Sequence, residues 1–554
     1  SSSTPPCSSG SALEAFVSLL IENGPVGFRA HRELDLKKSF PLLGGDSVSA
    51  AKILREARLP PLCVDLSIAL LLDHSVSLAQ VAQLIEEARQ QALVRGVSST
   101  EVIHISEQML IDAHSLIQQD LKLLEDETSI RWSGPPSPSP SASSSANVTN
   151  STLSPCRDAV FLTGVTGFLG GFLLRDLVAA GRQVYCLIRN ASNEKTLWSR
   201  LKAVWENISP TDTLEDARSR IHPIAGSLGK QFFGLSAAEY QSLVSVTSVV
   251  IHNGARVNAA LPYWSLRTAN VLGTVEALRL AALANAEFHF VSSLSVFDGA
   301  PPQPPVDECL VDPEQPRKSG YAQSKWCAEQ LCIQAAERYA LRRLVIYRCA
   351  SIVGDTVHGV ASRHDFIGRL LCGMLESGLI PPEFACACCR WDMVPVDYVS
   401  GVVVGLVNRV PDQRVLRLNL CAERLLPLSV LTRVMTGMPK PLPAVAQSPS
   451  PSPCQSSSLA PSPVSSTAQS QAHSGWTIVN DYGEWLLRVS EGSPQLAPML
   501  PFLRRRLPGV EAPFPSASTQ RNLSALLADP DRVFALRCCS EERLCRFLHY
   551  LAAK

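Results

Sequence analysis

Two serines, a tyrosine and a lysine stand in this chain at spacings that suit proton-coupled chemistry at a carbonyl. Tyr321 and Lys325 lie four apart in SGYAQSKWCAEQL, a stretch that reads as a helix, so they share one face. Ser292 and Ser293 stand at the end of a run, Phe288 to Ser292, that reads as a strand. A hydride arriving at a carbonyl carbon puts charge on the oxygen, which then needs a proton donor. Tyrosine is a poor acid, with a reference pKa of about 10, but a nearby Lys325 ammonium favours phenolate and lowers it. Ser293 can hold the carbonyl oxygen by hydrogen bonding. A lone Y-x-x-x-K is also an ordinary helix-surface pair, so its weight depends on what positions it.

The positioning elements begin at residues 159–171, AVFLTGVTGFLGG. Ala159 to Leu162 reads as a buried strand and Phe168 to Ala180 as an amphipathic helix, with Gly164, Gly167 and Gly170 at the turn. G-x-x-G-x-x-G is a variant of the dinucleotide fingerprint. Gly164 allows the tight turn, Gly167 lets backbone approach a pyrophosphate, and Gly170 lets helix and strand pack closely. The cofactor loop then comprises Gly164, Thr166, Gly167, Phe168, Leu169 and Gly170. A second strand, Gln183 to Ile188, ends at Arg189. An acidic residue there would bind a ribose 2′-hydroxyl; an arginine suits a 2′-phosphate, so the expected cofactor is NADPH, with Lys195 and Arg200 assisting. Val249 to His252 reads as a further strand, whose end puts Asn253, Gly254 and Ala255 along the cofactor cleft. Strands alternating with helices predict a Rossmann-type, doubly wound parallel sheet.

The chain has 554 residues, with 50 Lys plus Arg against 50 Asp plus Glu. That balance gives no bulk charge to draw nucleic acid or an anionic membrane. The best apolar stretch, Val394 to Val407, is interrupted by Asp397 and reads as no membrane span. The first ten residues, SSSTPPCSSG, do not read as a signal peptide. Seventeen cysteines, many within apolar patterns such as Cys186, Cys327, Cys332 and Cys349, predict reduced thiols in a cytoplasmic protein. Cys386, Cys388 and Cys389 lack a second ligand pair, so no metal is expected. Asn147, Asn150 and Asn522 lie in glycosylation sequons without other signs of secretion.

Residues 133–156 and 443–474 are Ser/Pro-rich and cannot build a core. The first reads as a linker and the second as a disordered insertion. Residues 11–90 predict a small all-α bundle: Ala12 to Ile21, Ser47 to Arg58, Val64 to Leu72 and Leu78 to Ala88. Residues 91–157 read as partly helical (Glu101 to Leu124) and then linker, with no function assigned. Residues 158–354 are expected to form the NADP-binding part. Residues 355–554 are expected to form a smaller, mostly helical substrate lobe, with helices at Phe366 to Leu375, Tyr482 to Val489, Leu496 to Leu503 and Glu541 to Leu551.

Two stretches resemble known families. LLGGDSVSA is similar to the motif of carrier domains in nonribosomal peptide synthetases. The resemblance implies that Ser47 carries a covalent 4′-phosphopantetheine arm, attached by a phosphopantetheinyl transferase. The strings GVTGFLGGFLL, VYCLIR, VIHNGARVN, LPYWSLRTANVLGT, FVSSLSVF, SGYAQSKWCAEQL and PVDYVS resemble the thioester reductase domains of those synthetases, of α-aminoadipate reductases and of carboxylic acid reductases. These are extended short-chain dehydrogenase/reductases. The resemblance implies Ser293, Tyr321 and Lys325 as the catalytic set, with Lys325 also touching the cofactor. Two departures stand out: Gly226-Ser227-Leu228 where Gly-Asp-Leu is usual, and Arg348-Cys349-Ala350 where Arg-Pro-Gly is usual.

Together the two resemblances imply NADPH-dependent release of a carrier-bound acyl or aminoacyl thioester as an aldehyde, the main product expected, with further reduction to the alcohol left open. An adenylation domain is expected upstream in a larger synthetase. Two alternatives stand beside this: a release or cyclisation domain without redox chemistry, and an extended dehydrogenase acting on nucleotide sugars. The intact Tyr321 and Lys325 argue against the first, and the carrier motif against the second.

Overall fold

Near-continuous apolar runs such as AVFLT and TSVVIH suit strands covered on both faces, which is where parallel sheets are found. The computed structural model describes residues 12–24, most of 35–66, 113–124, 158–297, 319–438, 476–492 and 539–553, short gaps apart, with scattered residues in 71–105 and 523–533. Its main sheet has seven parallel strands: β1 (Ala159–Thr163), β2 (Gln183–Ile188), β3 (Ile221–Ala225), β4 (Thr247–His252), β5 (Glu287–Ser293), β6 (Arg343–Cys349) and β7 (Val415–Leu420). The spatial order is β3-β2-β1-β4-β5-β6-β7. The direction of winding therefore reverses between β1 and β4, the switch point at which open α/β sheets bind ligands.

Alternation along the strands divides the core. Val160 and Leu162 of β1, and Val249 and Ile251 of β4, face one layer, with Phe172, Leu173 and Leu177 of the helix Phe168–Ala179. Phe161, Val250, Phe288 and Phe290 face the other, with Leu278 and Ala281 of the helix Gly273–Ala284 and Leu331 and Ala335 of the helix Gly320–Arg338. A third cluster joins the helices Phe366–Ser377, Leu428–Gly437, Tyr482–Gly492 and Glu541–Ala553 through Leu370, Met374, Leu431, Trp485 and Leu548. The helix expected at Leu496 to Leu503, and both Ser/Pro-rich stretches, lie outside the described residues.

The N-terminal segment differs from the all-α expectation. The helices Ala12–Asn23 and Ser47–Ala57 form, packing Phe16, Leu20, Ala50 and Ile53 together. Val64 to Leu66, expected to open a helix, is instead a strand paired in parallel with Ile103–Ile105. Cys63 has φ +50, which interrupts any helical entry, and Val64 and Leu66 are buried while Asp65 turns outward to Arg58 Nε, 2.8 Å away. Within Glu101 to Leu124, expected to be partly helical, Ile103–Ile105 pairs as a strand, and among the described residues helix runs from Ala113 to Leu121. That helix buries Ile117, with Leu124 just beyond it, in the second core layer of the main sheet. Among the described residues no helix is long and apolar enough to cross a membrane.

Candidate active site

The loop after β1 is built by backbone contact. Gly164 has φ +73, and a Cβ there would lie 2.7 Å from Gly254 Cα; one at Gly170 would lie 2.0 Å from the Gly164 carbonyl oxygen. No side chain larger than hydrogen fits either place without moving backbone. Gly167 precedes the helix Phe168–Ala179, and no side chain caps it, so the first N–H groups are available to an anionic ligand. Thr166 is half-buried beside them. Leu169 turns its side chain into the core, and Phe168 packs edge-on against Phe172. Asn253 Nδ2 donates to the Gly164 carbonyl over 3.3 Å, joining the ends of β1 and β4. Arg189 is exposed just beyond β2, and an Arg200 guanidinium N–H donates to its carbonyl, so both cations stand on one edge. A cradle closed to Cβ atoms, an uncapped helix start and two guanidinium groups past the neighbouring strand fit the phosphates of a dinucleotide.

The second group of residues converges at the carboxyl end of β5. Ser319 caps the helix Gly320–Arg338 by accepting from Ala322 N, which sets Tyr321 and Lys325 on its first turns. Lys325 is buried; its Nζ donates to Val291 O at 2.7 Å and lies 4.8 Å from the Phe290 ring centroid. Burial lowers its pKa to about 8, with Cys349, Cys332 and Glu329 opposing the fall. Ser293 ends β5 directly across from Cys349 of β6 and accepts from Ser295 N at 3.2 Å. Ser292 turns the other way, buried, and donates to Glu329 Oε1 at 2.5 Å. Ser293, half-buried, is therefore the serine left for a ligand. Tyr321 differs from the sequence expectation. Burial, followed by the Cys349 thiol, pushes its pKa above the usual tyrosine value. The phenol thus keeps its proton at ordinary pH, the state a proton donor needs.

Three supporting residues lie within the strings quoted above, with no role assigned from sequence. Asn270, on a single π-helical turn (Thr268–Leu272), donates to Ser324 Oγ at 3.0 Å and to Arg256 O at 3.1 Å, and accepts from Arg256 N at 2.7 Å. It ties the loop after β4 to the Tyr321 helix. Glu329 forms a fully buried ion pair with Arg348, Nη2 to Oε2 2.8 Å, so the arginine of the Arg-Cys-Ala string is occupied inside the protein. His252, also buried, lies 2.9 Å from Thr163 Oγ1 and 3.0 Å from Thr274 Oγ1. Thr274 donates to Asn270 O, and Gly254 N donates to Thr163 Oγ1. The hydrogens are satisfied throughout if His252 is neutral with its proton on Nε2, a tautomer assigned from these partners.

Burial, and then Lys325, lowers the His252 pKa to about 3. Its folded-state pKa is below the unfolded one, so the unfolded chain binds more protons between the two. Stability therefore falls as pH drops from about 6.5 towards 3, with a limiting slope of about 1.4 kcal/mol per pH unit. Urea unfolding at a series of pH values measures this. His252→Gln should flatten the dependence over that window, and identical pH profiles for both proteins would contradict the assignment.

Comparison with known proteins agrees with this geometry. Residues 162–403 match the family described as male sterility protein, an NAD-binding domain. A linear gramicidin synthase chain of Brevibacillus parabrevis is 37% identical over 253 residues, covering 45% of this chain and 5% of that protein. The large subunit of L-2-aminoadipate reductase from Penicillium chrysogenum is 36% identical over 269 residues, covering 46% of this chain and 18% of that one. The chain thus spans less than a fifth of the length of either relative. The crystal structure of the terminal R domain from the myxalamid PKS-NRPS biosynthetic pathway superposes with a TM-score of 0.59 at 26% identity, covering 80% of this chain and 98% of its own. A thiolation-reductase di-domain from an archaeal non-ribosomal peptide synthetase shares the fold, with a TM-score of 0.57 at 17% identity over 99% of this chain and 98% of its own. The sheet order and the glycine cradle agree with these matches: residues 162–403 match the NAD-binding family described as male sterility protein, on a fold shared with the terminal R domain.

Proposed function

We propose that this chain is the carrier–reductase portion of a synthetase-like enzyme, releasing an acyl or aminoacyl thioester as an aldehyde at the expense of NADPH. The reading is supported by Ser293 at the carboxyl end of β5, Lys325 hydrogen-bonded to Val291 two residues before that serine, and Tyr321 one turn earlier on the same helix as Lys325, with β5 next to β4 at the switch point. When bound, the reduced nicotinamide supplies hydride. The protein's own groups do the rest. Ser293 holds the thioester oxygen by hydrogen bonding, and the protonated Tyr321 gives that oxygen its proton as charge develops. Lys325 steadies the phenolate left behind. The hemithioacetal then loses the arm thiol, leaving aldehyde. Overall, one thioester, one NADPH and one proton give one aldehyde, one thiol and one NADP+.

Ser47 is the proposed attachment point of the arm; it is the first residue of the helix Ser47–Ala57. Incubation with a phosphopantetheinyl transferase and coenzyme A should add one arm, seen by intact mass. Ser47→Ala should gain none; an unchanged gain would move the site elsewhere. The preference for NADPH rests on Arg189, with Arg200 beside it. Losing a hydrogen bond to a charged phosphate should raise KM for NADPH by roughly 10- to 100-fold in Arg189→Ala. KM for NADH should barely move. Equal use of both cofactors by the unaltered protein would contradict the preference. The reading as a whole is tested by adding NADPH to acyl-loaded protein: oxidation with release of the acyl group supports it, and release without oxidation favours a non-redox release domain.

A further inference from the structure

Residues 113–124 lie in the stretch that the sequence leaves without a role, yet they are bonded to the end of the Tyr321 helix and to the helix packed behind it. At the far end, Arg338 Nη1 and the Tyr339 hydroxyl both donate to Leu124 O at 3.0 Å. At the near end stands Asp120, whose side chain is fully buried. Arg267 Nε donates to it at 2.7 Å and Nη2 at 2.5 Å, and the Tyr263 hydroxyl donates at 2.6 Å. Its partners, Tyr263 and Arg267, bound the first five residues of a helix that runs on through the π turn Thr268–Leu272 into Gly273–Ala284. The π turn sets this stretch off from the regular hydrogen bonding of the rest of the helix, and Pro262 before it offers no side-chain cap. A buried carboxylate gripping both ends of the stretch therefore fixes where it sits, and the paired N–H groups of arginine make the grip directional.

The Tyr263–Arg267 helix and the residues just before it form the wall behind Tyr321. Leu261 and Leu266 pack against the Tyr321 side chain. A Cβ on Gly320 would lie 2.4 Å from both Pro262 C and Tyr263 N, so the two backbones meet with no slack. The Tyr263 oxygen also lies 3.4 Å from Cys327 Sγ, farther along the Tyr321 helix. With its own proton directed to Asp120, that oxygen is free to accept the thiol's.

We propose that Asp120 is a positioning residue for Tyr321: it holds the Tyr263–Arg267 helix, and that helix sets the proton donor against the substrate oxygen. The proposal rests on Tyr321 being that donor. It makes residues 113–124 a working part of the reductase rather than a passive lead-in. Proton transfer is sensitive to displacements of about 1 Å, which can cost roughly 100-fold. Asp120→Asn keeps the shape and removes the charge.

The full chain is assayed with NADPH and a free acyl-pantetheine thioester, so that loading at Ser47 plays no part. The assay temperature is one at which circular dichroism shows each variant folded. Asp120→Asn should lower kcat roughly tenfold or more, with Kd for NADPH unchanged. Tyr263→Phe keeps the ion pair and deletes only the hydroxyl link; it should lower kcat less, in the same pattern, and serves if Asp120→Asn does not fold. Fluorotyrosine placed at position 321 should show a shifted fluorine resonance in either variant. A folded variant with unaltered kcat and an unaltered resonance overturns the proposal. So does a kcat loss matched by loss of NADPH binding, which would mean general loosening. Were the unaltered protein inactive on the thioester, the reductase reading would fail, and the fluorine resonance would still decide whether Asp120 sets the place of Tyr321.

Discussion

Tyr321→Phe should lower kcat for NADPH-dependent reduction of an acyl thioester by roughly 10²- to 10⁴-fold, the usual worth of a positioned acid. Phenylalanine keeps the ring that packs against Leu261 and Leu266 and removes only the proton that the carbonyl oxygen needs. Loading of Ser47 and the affinity for NADPH should therefore stay as they are. The buried setting raises the Tyr321 pKa, so wild-type activity should show no loss of a tyrosine proton across neutral pH. Rates of NADPH oxidation, set beside cofactor titrations, check both parts. A variant with near wild-type kcat would move the proton donor elsewhere.

Glu329→Gln should destabilise the reductase domain by about 3–5 kcal/mol, because it leaves the Arg348 charge buried without its counter-charge. Both side chains are fully buried. Glu329 also accepts from Ser292, the neighbour of Ser293, and follows Tyr321 and Lys325 on the same face of their helix. The pair thus joins β5, β6 and that helix directly behind the proposed catalytic groups. Urea denaturation measures the loss. Replacing both partners by apolar residues of similar volume (Glu329→Leu with Arg348→Met) should recover most of it, since the cost lies in removing one carboxylate from a buried ion pair. A single variant as stable as the wild type would show that Arg348 is satisfied by other groups.

What is legible in the sequence follows the reach of each physical constraint. The turn at Gly164, the close approach at Gly170 and the shared face of Tyr321 and Lys325 are local, and local spacing predicts them. The strand Val64–Leu66 reads as helix from sequence because its partner, Ile103–Ile105, lies far along the chain and three residues carry little pattern. Spacing alone predicts that Lys325 lowers the tyrosine pKa; burial raises it instead, and burial is a property of the assembled fold. Asp120 has no motif to mark it, and the strings that contain His252 and Asn270 name no partner for either. Asp120 is a single acid in a polar helix, and its partners lie 143 and 147 residues away. A buried polar residue is visible only once the surroundings that oblige it to find partners are built.

The measurement that bears most directly on reductive release is the fate of the hydride. Protein loaded at Ser47 with an acyl group is mixed with NADPH carrying deuterium at the transferring position of the nicotinamide, and carbonyl products are trapped with a hydroxylamine reagent. Reductive release gives a trapped aldehyde with one deuterium on its carbonyl carbon and one NADPH consumed per acyl group. Release of an acid or a cyclised product with NADPH intact would contradict reduction itself, and alcohol with two NADPH consumed and no trapped aldehyde would contradict the aldehyde as end product.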